Sequence, residues 1–280
     1  MKSSTLLSIL LACGFGLLLT AAPATAEVIN VDTGEILFYD NFESQPAGNV
    51  SHAAYPDVLN AVPTGSGIIG GGSYYFSQMT GGSPVLTNIQ VTDYVSGTDY
   101  PAAPEGDNCL RLSRYDGGST EVRQLFAADQ AVGTHIHVAE MVYISYAQNY
   151  IGGLGLFNKA GDARVLTMTA VVSGNRIQYY DGAFKYVTGL NWTLNKWQKW
   201  EIDYVVGSGT CTLSIDGTSV SGDFLFSDSA LPGSLSLSGG STDRTPTYFD
   251  EVRTIPEPST LALLACGLVG LLAYAWRKRK

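Results

Sequence analysis

Positive charge is what this sequence has least of. Its 280 residues carry 16 Lys and Arg against 25 Asp and Glu, a formal net charge of −9 at pH 7, and only 3 His. Arg277, Lys278, Arg279 and Lys280 stand together at the very end, so the body of the chain is more acidic than the whole. A surface of that sign repels phosphodiester backbones and anionic lipid headgroups, which excludes nucleic acid as a partner and leaves cations and neutral polymers such as glycans. Charge of either sign is sparse, 15% of the residues against about 25% in ordinary globular chains.

Cysteine is nearly as scarce. Of 4 in total, Cys13 falls in an N-terminal apolar run and Cys266 in a C-terminal one, leaving Cys109 and Cys211 for the folded region, too few for a disulfide-built scaffold. In Cys109-Leu110-Arg111-Leu112, alternation sets Cys109 opposite the two leucines, whereas Cys211 shares a face with Leu213 and Ile215. That argues against the bridge an oxidising compartment would otherwise permit. No stretch sustains a 3.6-residue apolar period, which excludes a helical fold. A Gly-x-Ser-x-Gly elbow and an EF-hand loop are also missing. Gly65-Ser66-Gly67-Ile68-Ile69-Gly70 matches the dinucleotide fingerprint by letter, but lacks the preceding strand and following helix that give such glycines a purpose, and reads as a loop.

What is present begins with the two ends. Lys2, the apolar run Leu6 to Thr20 and the small-residue pattern Ala24-Thr25-Ala26 make residues 1–26 an export signal, with the mature chain starting at Glu27. Leu10-Leu11-Ala12-Cys13 competes as a lipoprotein site, but leaves too short an apolar stretch before the cysteine. At the other end Leu261 to Trp276 carries no charge and the four cations of residues 277–280 follow at once, the pattern of a stop-transfer helix. At ~1.5 Å per residue that run reaches ~24 Å against a hydrocarbon core of ~30 Å, a marginal span suited to a temporary anchor. The basic tip stays cytoplasmic, which places Glu27 to Ile255 outside. Just ahead, Pro256-Glu257-Pro258 can neither continue a helix nor pair in a central strand, and so offers an extended segment to a processing enzyme.

Pro256-Glu257-Pro258, the apolar Leu261 to Trp276 and the basic end, residues 256–280 together, resemble the PEP-CTERM sorting domain of Gram-negative bacteria. The resemblance implies recognition by an exosortase-type membrane protease, cleavage near Pro256, and delivery from an inner-membrane-anchored precursor to the cell surface or an exopolysaccharide-rich matrix. It says nothing of the domain delivered.

That domain, residues 27–255, is rich in Gly, Ser, Thr and Tyr. Period-two alternation recurs at Glu35–Tyr39, Leu110–Arg114, Glu121–Phe126, Ile136–Ile144, Val165–Val172, Arg176–Tyr180, Trp200–Val206, Thr210–Ile215, Leu235–Ser238 and Tyr248–Arg253. Turn chemistry separates several of them: Ser173-Gly174-Asn175, Asp181-Gly182, Gly207-Ser208-Gly209 and Asp216-Gly217. The pattern predicts an all-β, two-sheet antiparallel sandwich. Between Ala47 and Glu105 long loops are expected, with strands only around Tyr74-Tyr75-Phe76 and Ile89-Gln90-Val91. Asn195 to Tyr204, the strand Cys211 to Ile215 running into Asp216-Gly217, and Tyr248-Phe249-Asp250-Glu251-Val252, with a weaker echo at Phe38-Tyr39-Asp40-Asn41-Phe42-Glu43, resemble the concanavalin-type jelly roll shared by laminin-G-like and glucanase-like domains.

On such a fold Glu201 and Asp203 invite comparison with the acid run of a retaining glycoside hydrolase. The next acid is missing, since Val205 and Val206 occupy its place, and without a second carboxyl ~5.5 Å away the reaction has no nucleophile and acid pair. The expected domain is therefore non-catalytic, binding glycan or serving structurally, with a glycoside hydrolase or lyase as the alternative. Asp40, Glu43 and Asp250 would meet if the first and last strands adjoin, and are a candidate structural calcium site. His135 and His137 share a strand face but have no third soft ligand nearby, and read as a surface pair. Flat rings stack on sugars. One of Tyr179 and Tyr180 must face outward, so Tyr180 with Trp192 is the candidate glycan platform, and Trp197 and Trp200 are assigned to the core.

Overall fold

The computed structural model describes residues 27–39, 42, 48–49, 73–79, 89–93, 102–104, 108–112, 119–145, 150–239 and 246–250. All belong to one compact unit, Thr25–Val252; the second unit, Met1–Ala24 with Arg253–Lys280, lies wholly outside the described residues. So do the export signal, Pro256, Glu257, Pro258 and the apolar run after them. Among the described residues no helix is long and apolar enough to cross a membrane.

The strands are β1 Glu27–Asn30, β2 Glu35–Tyr39, β3 Gly48–Asn49, β4 Ser73–Met79, β5 Ile89–Asp93, β6 Asn108–Leu112, β7 Ser119–Leu125, β8 His135–Ile144 and β9 Tyr150–Phe157. They continue as β10 Arg164–Val171, β11 Arg176–Tyr180, β12 Phe184–Asn191, β13 Trp197–Val205, β14 Cys211–Ile215, β15 Thr218–Gly222, β16 Ser234–Gly239 and β17 Thr247–Asp250. A single 3-10 turn, Ser173–Asn175, joins β10 to β11. Every pairing is antiparallel. One sheet runs β15-β14-β13-β8-β17-β6-β5-β3, with β1 also on β8 and β2 on β1; the other runs β12-β11-β10-β9-β16-β7-β4.

The two sheets share one hydrophobic core. β13 shows why its residues form a strand: Gln198, Trp200, Ile202 and Tyr204 are buried while Trp197, Lys199, Glu201 and Asp203 are less so, and register carries the inner row into Val138 of β8 and Leu213 of β14. Ile202 and Leu213 are fully buried, each worth about 1.5–3 kcal/mol relative to exposure. The predicted turn residues take the backbone values turns demand, with Asp216 at φ 48° and Gly217 at φ 80° between β14 and β15.

Glu35–Tyr39 and Arg176–Tyr180 fall where the alternation puts them, and the other patterned strands agree to within a few residues. β1, β3, β9, β12 and β15 lie outside the runs that alternation marks. β9 contains Gly152, Gly153 and Gly155, a composition that reads as loop. Here the glycines are required by close approach: a Cβ on Gly153 would lie 2.1 Å from the Met168 carbonyl oxygen on β10. The first and last strands do not pair. β1 and β17 lie against the same neighbour, β8, through Val28↔Val138 and Phe249↔Val142.

Candidate functional site

In an antiparallel sheet, residues directly opposite share a face, so register decides what each face displays. On the seven-stranded sheet, Leu235 and Leu237 of β16 point into the core. The alternate residues form rows on the outer face. One row is Arg123, Ser236, Gly155 and Thr167 across β7, β16, β9 and β10. The next is Glu121, Ser238, Gly153, Thr169, Gln178 and Tyr186 and reaches β12. The middle positions are Ser, Gly and Thr, and the flanks are large. That size pattern sets a strip of small residues, a shallow trough in side-chain height, along β16, β9 and β10, between Glu121 and Arg123, both buried, on one side and Tyr180, Phe184 and Tyr186 on the other.

The Arg123 wall is rigid. Its guanidinium holds Glu121 in a two-pronged ion pair, Nε to Oε1 at 2.6 Å and Nη2 to Oε2 at 3.2 Å, and Ser236 Oγ donates to Glu121 Oε1 at 2.6 Å. Bidentate pairing of this kind fixes orientation as well as charge. Arg123 Nη1 donates to the Gly161 carbonyl oxygen at 3.0 Å, tying down the β9–β10 loop. A Cβ on Gly161 would fall 1.5 Å from that same nitrogen, and its φ is +76°, so only glycine lets the loop close over the arginine.

The opposite wall is aromatic and open. Tyr180 meets Phe184 edge-on at 4.9 Å and stacks on Phe226 at 5.6 Å with 24° between planes. Phe226, from the irregular segment after β15, is 46% exposed, Phe184 56% and Tyr186 47%. Arg164 stands among these rings, its guanidinium 5.0 Å from the centre of Tyr180, 5.6 Å from Phe157 and 5.7 Å from Phe226. The Arg176 guanidinium carbon stands over the Tyr186 ring, 3.6 Å from its centre. Exposed rings gathered on one face, with polar groups beside them, are how protein surfaces engage sugar rings.

Of the two expected platform residues, Tyr180 therefore sits in the aromatic wall and Trp192 does not. Trp192 is 2% exposed, lies in the core and donates its ring N–H to the Val171 carbonyl oxygen at 3.0 Å. It is a packing residue, a correction whose reason is alternation: Leu190 and Trp192 are both buried with exposed Asn191 between them. Tyr179 packs on Phe224 at the core edge, so Tyr180 is the outward member of that pair, as alternation requires. Trp200 is core as expected; Trp197 is half-buried on the outer face of its sheet, donating its ring N–H to the Ala102 carbonyl oxygen at 2.7 Å. Phe226 and Arg164 carried no motif by which they could be found.

Glu201 and Asp203 lie on the outer face of the ten-stranded sheet, away from the trough. Asp203 accepts hydrogen bonds from both His135 Nε2 and, at 2.9 Å, His137 Nδ1, and Glu201 pairs with Lys199 Nζ at 2.5 Å. Burial alone would raise the Asp203 carboxyl, but the imidazoles of His137 and His135 outweigh it and hold it below the usual carboxylate range. Thus His135 and His137 find their partners in β13, a pairing that sequence spacing does not reveal. Asp40 and Glu43 lie outside the described residues, and Asp250 is buried at the end of β17 opposite Met141. Among the described residues no group of three or more His, Cys, Asp and Glu is placed to hold a metal ion. Cys109 and Cys211 are both buried, on opposite faces of their sheet as the pattern requires, and burial pushes the Cys211 thiol up to about 12.

No curated protein matches this chain. Solved structures give distant likenesses. An alginate lyase from Pseudomonas aeruginosa is 14% identical, over 61% of this chain and 98% of that one, with a TM-score of 0.39. A Caenorhabditis elegans galectin is 12% identical, over 57% and 98%, with a TM-score of 0.33. A sialidase is 13% identical over 60% of this chain but only 17% of its own length, with a TM-score of 0.42. At such values none assigns this chain a ligand or an activity. The C-terminus is matched directly by a family profile: residues 254–280 are a PEP-CTERM protein-sorting motif, the mark of an exported protein with a C-terminal sorting signal processed by an exosortase.

Proposed function

We propose that this is a non-catalytic glycan-binding protein of the bacterial surface or exopolysaccharide matrix, whose binding face is the outer side of the seven-stranded sheet. The observation that carries the reading is the aromatic wall of Tyr180, Phe184, Tyr186 and Phe226 beside a trough floored by Ser, Gly and Thr. The concanavalin-like jelly-roll connectivity is the finer fold reading that goes with it. In this reading the chain travels as an inner-membrane precursor of a Gram-negative bacterium, held transiently by residues 261–276, and is cut near Pro256-Glu257-Pro258.

The non-catalytic part has a chemical basis. Within the seven strands of the sheet Glu121 is the one carboxylate, already held by Arg123 and Ser236. The usual hydrolysis of a glycosidic bond by a carboxyl pair takes two carboxyls about 5–10 Å apart. The test is affinity electrophoresis of the full chain, in mild detergent, through gels containing the producing organism's exopolysaccharide. Retention that Tyr180→Ala and Tyr186→Ala reduce supports the reading. Unretarded migration rejects it, and release of reducing ends or unsaturated sugars from the polymer would make the protein an enzyme instead.

A further inference from the structure

We infer that the glycan held on this face is anionic, a polysaccharide bearing carboxylate or sulfate groups, and that Arg164 receives its charge; the inference rests on the glycan-binding reading above. Net charge alone points the other way, toward neutral polymers. The local distribution reverses it. In the strands of the seven-stranded sheet one acid, Glu121, stands against four cations, Arg123, Arg164, Arg176 and Lys185. In the strands of the other sheet seven acids, Glu27, Glu35, Asp93, Glu140, Glu201, Asp203 and Asp250, stand against Arg111 and Lys199.

The four cations on the binding sheet are not equivalent. Arg123 is neutralised by Glu121, and Lys185 by Asp181 at 2.5 Å. Among the described residues no carboxylate reaches Arg164 or Arg176. Arg176 has its Nε on the Ser173 carbonyl oxygen at 2.8 Å and its Nη2 on Ser173 Oγ at 3.0 Å. Among the described residues three rings surround the Arg164 guanidinium, and its buried Nε has no hydrogen-bond partner. A half-buried guanidinium with an unmet donor is costly unless something completes it. In an acidic protein a carboxylate could have filled that place. Three rings hold the guanidinium in position, and its planar fork fits the two oxygens of a carboxylate or sulfate on a sugar. Tyr180 and Phe226, which flank Arg164, are the same rings that would stack on the pyranose, so ring contact and charge contact come from one spot.

Affinity gels of the full chain test this with four polymers: polygalacturonate, its carboxyl-reduced counterpart, dextran sulfate and dextran. The expected result is retention by a charged polymer roughly tenfold stronger than by its neutral partner, falling as NaCl rises. Arg164→Gln should abolish that preference and Lys185→Gln should leave it intact. Preference for polygalacturonate identifies a carboxylate and preference for dextran sulfate a sulfate. Equal retention by charged and neutral polymers overturns the inference and leaves glycan binding standing; retention by none overturns both. A preference that survives Arg164→Gln removes Arg164 from it. Should that variant lose its cooperative unfolding, Arg164→Lys replaces it, keeping the charge without the fork. It is expected to bind several-fold more weakly, and wild-type affinity there would equally remove Arg164.

Discussion

The two outer faces of this sandwich are built from the same alternation and end in opposite states. On the ten-stranded sheet the exposed row answers itself: His135 and His137 meet Asp203, Lys199 meets Glu201, Thr212 Oγ1 meets Ser221 Oγ at 2.7 Å and Ser214 donates to Ser219 at 2.9 Å. On the seven-stranded sheet Phe184, Tyr186 and Phe226 are exposed, and among the described residues no carboxylate reaches Arg164. A face whose polar groups are mutually satisfied has little to offer a ligand, because each new contact must replace an existing one. The unsatisfied face is the one with binding energy to release.

The strongest way to break the comparison is to move a ring from one role to the other. Trp192 and Tyr180 were indistinguishable as platform candidates, yet one is core and the other wall. Trp192→Ala is expected to cost about 3–5 kcal/mol of stability, the cost of a large buried aromatic, measured by urea unfolding. Tyr180→Ala should leave the unfolding midpoint nearly in place and instead weaken retention by glycan severalfold, about 1 kcal/mol. If Trp192→Ala folds normally and loses binding, the assignment of walls is wrong.

Gly161→Ala should come next, costing roughly 1–3 kcal/mol from the forced left-handed backbone, and it acts on the rigid wall alone. Its Cβ would displace the Arg123 guanidinium that orders Glu121. Retention by glycan should fall with it, whereas Gly217→Ala, also at positive φ but in the β14–β15 turn of the other sheet, should destabilise without affecting retention. Equal effects of the two on binding would mean that the Arg123 wall is not part of the site.

How much of this was legible depends on which residues carry local pattern. Tyr180 was readable because two adjacent tyrosines on a strand must split between faces. The absence of a glucanase acid triplet was readable because it is a matter of spacing. Arg164 was not, since its meaning lies in the lack of a nearby acid and in Phe226, which arrives from a segment without periodicity. The partners of His135 and His137 likewise come from β13, 68 and 66 residues on, and register across strands is a tertiary fact. β9 was hidden by its glycines, although it forms the trough floor that those glycines make possible. Sequence therefore reports where the two faces of the patterned strands are, and the folded unit reports which face is complete.

The smallest expected effect tests the self-satisfied face. Asp203 is held below its usual range in the folded state, against an ordinary unfolded value of ~3.9. A depressed carboxylate binds its proton more weakly when folded, so its contribution to stability is fully present above the unfolded value and is lost as pH falls through the folded one. Asp203 is partly exposed, 42% at the side chain, and solvent screening limits the contribution to about 0.5 kcal/mol. Asp203→Asn should thus melt slightly below wild type at pH 5–6, and the two curves should converge as the pH approaches ~2. Retention by glycan should be the same for both at every pH at which they are folded. A variant that instead lost glycan retention would show that the ten-stranded face takes part in binding, and the division between a complete face and an open one would fall with it.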